Sequence, residues 1–459
     1  FWQILPLGPT GFGDSPYQAF SAFAGNPYFI DLEQLIQEGL LTENECEAAD
    51  FGDDDRYIAY DKIYKARFKV LKKAYERWKK EAKWTENVEK AGTKAEKMDH
   101  RQFLKSKLDP ETREYCFYMA VKDHFKSASW NKWDEDIRLR KTAAVEKYKK
   151  MLEDEMGFYE FQQFQFNEQW SRLKAYANEN GIQIIGDIPI YVAMDSSDVW
   201  SEPENFQLDE NKKPTEVSGV PPDYFSADGQ LWGNPLYDYE AMRKNGFEWW
   251  IRRIGGATKL YDVIRIDHFR GFESYWSVPF GKTTAKDGHW VKGPGMSLVG
   301  VLTGWFHDIE FIAEDLGFPT PEVTQLLADS RLPGMKVLEF AFDSRDTGSA
   351  SDYLPHNYPV NSVAYTGTHD NETLVSWYQT VTDAERAMVR DYLYDYATPE
   401  EQLYKSMIAL ILRSAAATCI VPMQDWLGLD NSARINKPST VGQNWRWRLK
   451  KTQLTKKLQ

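Results

Sequence analysis

The segment VIRIDHFRGFESYW, Val263 to Trp276, begins as an apolar strand and then places Arg265, Asp267, His268 and Arg270 in close succession. Residues two apart on a strand share a face, so Arg265 and Asp267 point the same way, and a carboxylate withdrawn from water needs such a partner. Two more acids follow apolar runs: Glu314 in FIAEDLG and Asp370 in SVAYTGTHDNE. Two carboxylates about 5–5.5 Å apart can cleave a glycosidic bond with retention, one as nucleophile and the other as acid and then base. Arg265 is expected to keep Asp267 ionised for the first role. The apolar neighbours Phe311, Ile312 and Leu316 are expected to raise the pKa of Glu314 for the second. A single acid behind a strand is more often a structural ion pair. Three of them, with histidines adjoining Asp267 and Asp370, favour chemistry. A rival reading makes Asp267-His268 and His369-Asp370 ligands of a catalytic metal. None of the seven histidines forms a His-x-His pair, and Cys46, Cys116 and Cys419 lie far apart, so neither metal nor other cofactor is expected.

Apolar runs that lack strict alternation mark strands covered on both faces. Seven such runs begin at Phe1, Ile182, Asp262, Phe311, Met335, Ser362 and Cys419, and helical patterns separate most of them. This alternation implies an α/β fold, a (β/α)8 TIM barrel one strand short, with functional residues gathered at the C-terminal ends of the strands. The chain opens FWQILP without methionine, and the missing first strand and helix are expected ahead of Phe1. Residues 1–55, 157–194 and 241–459 are assigned to the barrel. Residues 56–156, rich in Lys, Glu, Tyr and Trp, form a helical insertion, with Tyr64, Phe68, Leu71, Tyr75 and Trp78 as its apolar stripe. Residues 195–240, dense in Gly, Pro, Asp and aromatics, are expected to be a loop-like lid over the site.

A net charge of −13 over 459 residues opposes nucleic-acid and anionic-membrane partners, and no apolar stretch is long enough to span a bilayer. The cysteine usage points to a reducing compartment, hence a cytoplasmic location, or the plastid stroma for a plant or algal chain. An aromatic content of 15%, with 17 Trp, suits a sugar substrate as well as core packing.

PLGPTGFGDSPYQAFSAFAGNPYFID, IIGDIPIYVAMDSSDVW, GVPPDYFSADGQLWGNPLYDY, VIRIDHFRGF, AEDLG, GMKVLEFAF, TGTHDNET and QNWRWR resemble, in order, segments of the 4-α-glucanotransferases of glycoside hydrolase family 77. The resemblance covers nearly the whole chain. It implies a cofactor-free retaining transfer between α-1,4-glucans, with Asp267 as nucleophile, Glu314 as acid/base and Asp370 as transition-state stabiliser. It also implies sugar contacts from Arg265, His369, Tyr17 and Trp232, with Ser15, Asp187 and Asn234 as further substrate-binding candidates. The aromatic residues Tyr224, Phe225, Trp232 and Tyr237 are expected to exclude water so that an acceptor sugar wins over hydrolysis. An α-glucan hydrolase with the same triad, or a silent glycan-binding barrel, is the alternative.

Overall fold

The computed structural model describes residues 1–459 except 12, 82–98, 223–225, 318–319, 346–349 and 457–459. Its strands are β1 Trp2–Gln3, β2 Ile184–Ile188, β3 Glu216–Val220, β4 Gln230–Pro235, β5 Val263–Ile266, β6 Ser274–Pro279, β7 His289–Lys292, β8 Glu310–Ala313, β9 Gly334–Val337, β10 Ser362–Tyr365 and β11 Thr418–Ile420. Every one of the seven apolar runs contributes a parallel strand, in the orders β1-β2-β5-β8 and β9-β10-β11. A hydrogen bond from Ala313 N–H to Pro333 O, 2.9 Å, joins the two ladders. An eighth parallel strand is not among the described residues.

The parallel wall has two differently packed faces. Ile185, Val263, Ile312, Met335, Val337, Val363 and Tyr365 form one separate cluster drawn from five strands, the filled interior expected of a barrel. Tyr365 reaches across it to donate to Gln3 Oε1 at 2.9 Å. Ile184, Ile188, Ile264, Ile266, Phe311 and Ala313 face the other way, into the main core with the outer helices. Gly186 of β2 belongs to that outer face: a Cβ there would stand 2.0 Å from the Tyr261 ring, so only glycine lets this ring pack flat on the strand.

The long helix Glu153–Glu179 ends where expected, with Gly181 in the left-handed region at φ +74°. Within helix Tyr60–Glu81, Leu71, Tyr75 and Trp78 are buried and Phe68 is half-buried, whereas Tyr64 stays exposed. The region 195–240 differs from the loop expected. It contributes β3 and β4 to a four-stranded antiparallel sheet of order β4-β3-β6-β7, which draws β6 and β7 from beyond residue 240. Its glycines occupy turn and close-approach positions on a half-exposed sheet, which dilutes the apolar signal that marks a strand. Among the described residues no helix is long and apolar enough to cross a membrane.

Candidate active site

Register does the first positioning. Asp187 of β2 pairs with Arg265 of β5, both on the interior face directly above the apolar cluster. Arg265 Nη1 donates to Asp187 Oδ2 at 2.5 Å and to Asp267 Oδ1 at 3.2 Å, while its Nε meets Met335 Sδ across the interior at 3.3 Å. Asp187 Oδ2 also accepts the Tyr17 hydroxyl at 2.7 Å. That hydroxyl lies 3.4 Å from His369 Nδ1, and the two rings stack with centroids 5.0 Å apart. One buried arginine therefore links β2, β5, the Tyr17 loop and the loop after β10.

Glu314 is brought in by backbone geometry. The chain turns sharply after Asp267 because His268 adopts φ +52°, a region that non-glycine residues occupy sparingly. The turn aims the His268 N–H at Glu314 Oε2, 2.7 Å away, and Leu316 N–H binds Oε1 at 2.8 Å. Phe269 N–H to Glu314 O, 3.0 Å, closes the junction. The carboxyl is thus bonded to the residue next to Asp267. Asp370 is 48% exposed at the mouth. Its Oδ1 accepts Asn436 Nδ2 at 2.6 Å and lies 3.4 Å from His369 Nε2.

Burial raises the pKa of Glu314, opposed by Arg265 and by the two backbone N–H donors. Asp267 departs from expectation. Burial pushes its carboxyl well above the usual range, and Asp187, Glu314 and Asp370 add to the rise, outweighing Arg265. The arginine is shared with the closer Asp187, so it offsets the burial of Asp267 only in part. The carboxyls of Asp267 and Glu314 are thus both raised by burial, with Arg265 opposing the rise at each. That Asp267 senses both Glu314 and Asp370 also puts all three acids in one electrostatic neighbourhood. His268 is pushed down to about 3 by burial and by Arg270, and is therefore neutral.

The remaining sequence candidates divide. Trp232 is half-buried, its indole perpendicular to the His268 ring at 82° with centroids 4.8 Å apart. Ser15 Oγ accepts the Tyr17 N–H at 3.2 Å and so shapes the loop that presents Tyr17. Asn234 is 4% exposed, donating to Val192 O at 2.8 Å and accepting from Gln18 Nε2 at 3.2 Å and Ser218 Oγ at 3.3 Å. These bonds occupy it as a tie between β4 and the neighbouring loops. Tyr237 is fully buried with its hydroxyl on Ile190 O at 2.9 Å, so it belongs to the core rather than to a lid surface. Tyr224 and Phe225 lie outside the described residues. Among the described residues no group of three or more His, Cys, Asp or Glu is arranged to hold a metal ion.

Sequence reasoning missed Asn436, Arg434 and Trp445. Arg434 Nη2 donates to Asp370 O at 2.8 Å, and the Trp445 ring lies 5.7 Å from both Tyr17 and His369. QNWRWR carried a signal for Trp445, but no local spacing links Asn436 to an acid 66 residues earlier.

The geometry has counterparts. A family model described as 4-alpha-glucanotransferase matches residues 1–455. The 4-alpha-glucanotransferase of Clostridium butyricum is 48% identical over 461 residues, covering 100% of this chain and 90% of the relative. That of Thermus thermophilus is 43% identical, covering 98% and 87%. An amylomaltase from Streptococcus agalactiae, solved in complex with acarbose, superposes with a TM-score of 0.92 at 40% identity, over 100% of this chain and 89% of that one. With a full-length family match and relatives at this identity, the chain belongs to the 4-alpha-glucanotransferase family, glycoside hydrolase family 77.

Proposed function

We propose that this chain is a 4-α-glucanotransferase that moves segments of α-1,4-glucan from a donor maltodextrin to the 4-hydroxyl of an acceptor glucan or glucose. The observation that carries the reading is the docking of Glu314 onto the backbone beside Asp267, with Arg265 joining that acid to the Tyr17–His369 wall. The amylomaltase that superposes on the chain was solved in complex with acarbose, which supports an α-glucan ligand here.

In the reactive proton arrangement Asp267 is ionised and Glu314 is protonated. Asp267 attacks the anomeric carbon, the glycosidic C–O bond breaks, and the proton of Glu314 passes to the departing 4-oxygen. Glu314, now a base, takes the proton of the incoming 4-hydroxyl as that oxygen displaces Asp267. Asp370 grips ring hydroxyls more tightly as positive charge develops on the sugar, which lowers the barrier rather than the ground state. Arg265 and Asp187 hold Asp267 and Tyr17 in place, and His369 with Tyr17 forms the polar wall against the bound ring. Trp232 narrows the water path beside His268, which favours an acceptor sugar at the covalent intermediate.

Incubation with maltotriose tests this reading. Transfer gives glucose together with glucans longer than maltotriose. Release of only shorter sugars establishes a hydrolase, and absence of any product removes the enzymatic reading.

A further inference from the structure

Behind Asp370 lies an acid to which the reaction above gives no part. Glu339 sits just past β9, in the turn Leu338–Ala341, and is 6% exposed. Its Oε2 accepts Asn371 Nδ2 at 2.9 Å. Asn371 Oδ1 in turn accepts the N–H of Thr368 at 2.9 Å and its hydroxyl at 2.8 Å, and Thr368 Oγ1 accepts the Asp370 N–H at 3.2 Å. The chain of bonds therefore runs from the buried acid to the backbone of Asp370. The other oxygen, Oε1, has no hydrogen-bond partner and is sealed under Gly367, where a Cβ would approach it to 3.0 Å.

We propose that Glu339 is a positioning residue for the transfer reaction, setting the Thr368–Asn371 turn, and with it Asp370, through its bond to Asn371. The inference rests on the proposed activity for its catalytic consequence and on the hydrogen-bond chain for its structural one. The charged groups facing Glu339 are Asp425 from helix Met423–Trp426, Glu372 from the Asp370 loop and Arg434 from the C-terminal loop. Burial raises its pKa well above the usual range, Asp425 and Glu372 raise it further, and the Asn371 bond and Arg434 oppose them only in part. This environment favours the protonated acid, whose carbonyl oxygen would receive Asn371. A glutamine offers the same shape, charge and acceptor; alanine and aspartate do not.

The test compares E339Q, E339A and E339D with the wild-type chain by maltotriose disproportionation and by amide hydrogen exchange of residues 366–373. E339Q is expected to keep kcat within threefold of wild type. E339A and E339D are expected to lose tenfold or more in kcat with KM changed less than threefold, and to exchange faster in that segment. N371A, which leaves Glu339 in place, is expected to match E339A, and the double variant to be no worse than either single one. The proposal is overturned if E339A and N371A both keep kcat within twofold, if E339Q falls as far as E339A, or if exchange in the segment is unchanged. Should E339A not fold, E339Q and N371A decide between the same outcomes. A wild-type chain that forms no product from maltotriose ends the proposed activity, while the exchange measurement still judges Glu339.

Discussion

The rim of the parallel strands and the antiparallel flank beside it solve the same problem, placing side chains at the mouth of the barrel, by opposite means. At the rim, Asp187, Asp267, Tyr17 and His369 are connected through Arg265 and one another by specific polar contacts, on strands whose register fixes the pairing. On the flank, β3, β4, β6 and β7 present rings: Trp232 on His268, and Trp276 against Trp290 at 5.3 Å. Directional bonds suit a reaction in which atoms must meet within a fraction of an ångström. Ring contacts tolerate small displacements and suit the exclusion of water and the reception of acceptors of different length. The rim should therefore govern rate, and the flank should govern the fate of the intermediate.

Breaking the rim should have the largest effect. Asp267→Asn removes the nucleophile while keeping its volume, and kcat/KM on maltotriose is expected to fall by about 10⁴-fold or more. A fall of less than a hundredfold would end its assignment as nucleophile. Tyr17→Phe is milder, because it removes a hydroxyl that donates to one charged partner, Asp187, at 2.7 Å. A hydrogen bond to a charged group is worth about 1.5–3 kcal/mol, so a loss of roughly 10- to 100-fold is expected, in kcat more than in KM. An unchanged rate would show that the Arg265 network does not need its outer member.

The two regions were also unequally legible in sequence. Parallel strands covered on both faces read as uninterrupted apolar runs, which is why all seven appeared, and the acids that follow them led directly to Asp267, Glu314 and Asp370. The flank sheet is half-exposed and punctuated by glycines such as Gly219 and Gly229, either of which would bring a Cβ into Val220 or Gln230 backbone. Those residues read as loop. The raised pKa of Asp267 was hidden for a different reason: beyond burial, it depends on Asp187 lying opposite Arg265, a register between strands about 80 residues apart that periodicity alone does not specify. Asn234, suggested by its motif, carries hydrogen bonds that hold its own segment together, a use that the motif does not reveal.

Trp232→Ala tests the flank's part. Losing a ring contact worth about 1 kcal/mol should lower the ratio of transfer to hydrolysis about fivefold, with total turnover of maltotriose changed less than the ratio. If the ratio holds and turnover falls, Trp232 belongs functionally to the rim.

The smallest effect expected concerns a buried acid outside the antiparallel sheet that lacks the pairing found at the rim. Asp198, in the short helix Ser197–Ser201, is 3% exposed; its Oδ2 accepts the Ala22 N–H at 3.0 Å and its Oδ1 has no hydrogen-bond partner. Burial raises its pKa to about 6, opposed by the Ala22 N–H and by the charge of Arg253. An acid that binds its proton more tightly when folded favours the folded state while protonated, so this contribution is present below about pH 4 and is lost as pH rises to about 6. The difference from an ordinary aspartate corresponds to about 3 kcal/mol at most. Asp198→Asn keeps the acceptor for Ala22 and never ionises, but leaves its own amide unpartnered, which reduces the net gain to about 1–2 kcal/mol at pH 7. Thermal melts at both pH values should therefore show the variant above wild type at pH 7 and below it at pH 4, where the ionisation gain is gone and the unpartnered amide remains. An equal offset at both would mean that Asp198 titrates in the fold as it does in the unfolded chain, its burial compensated after all.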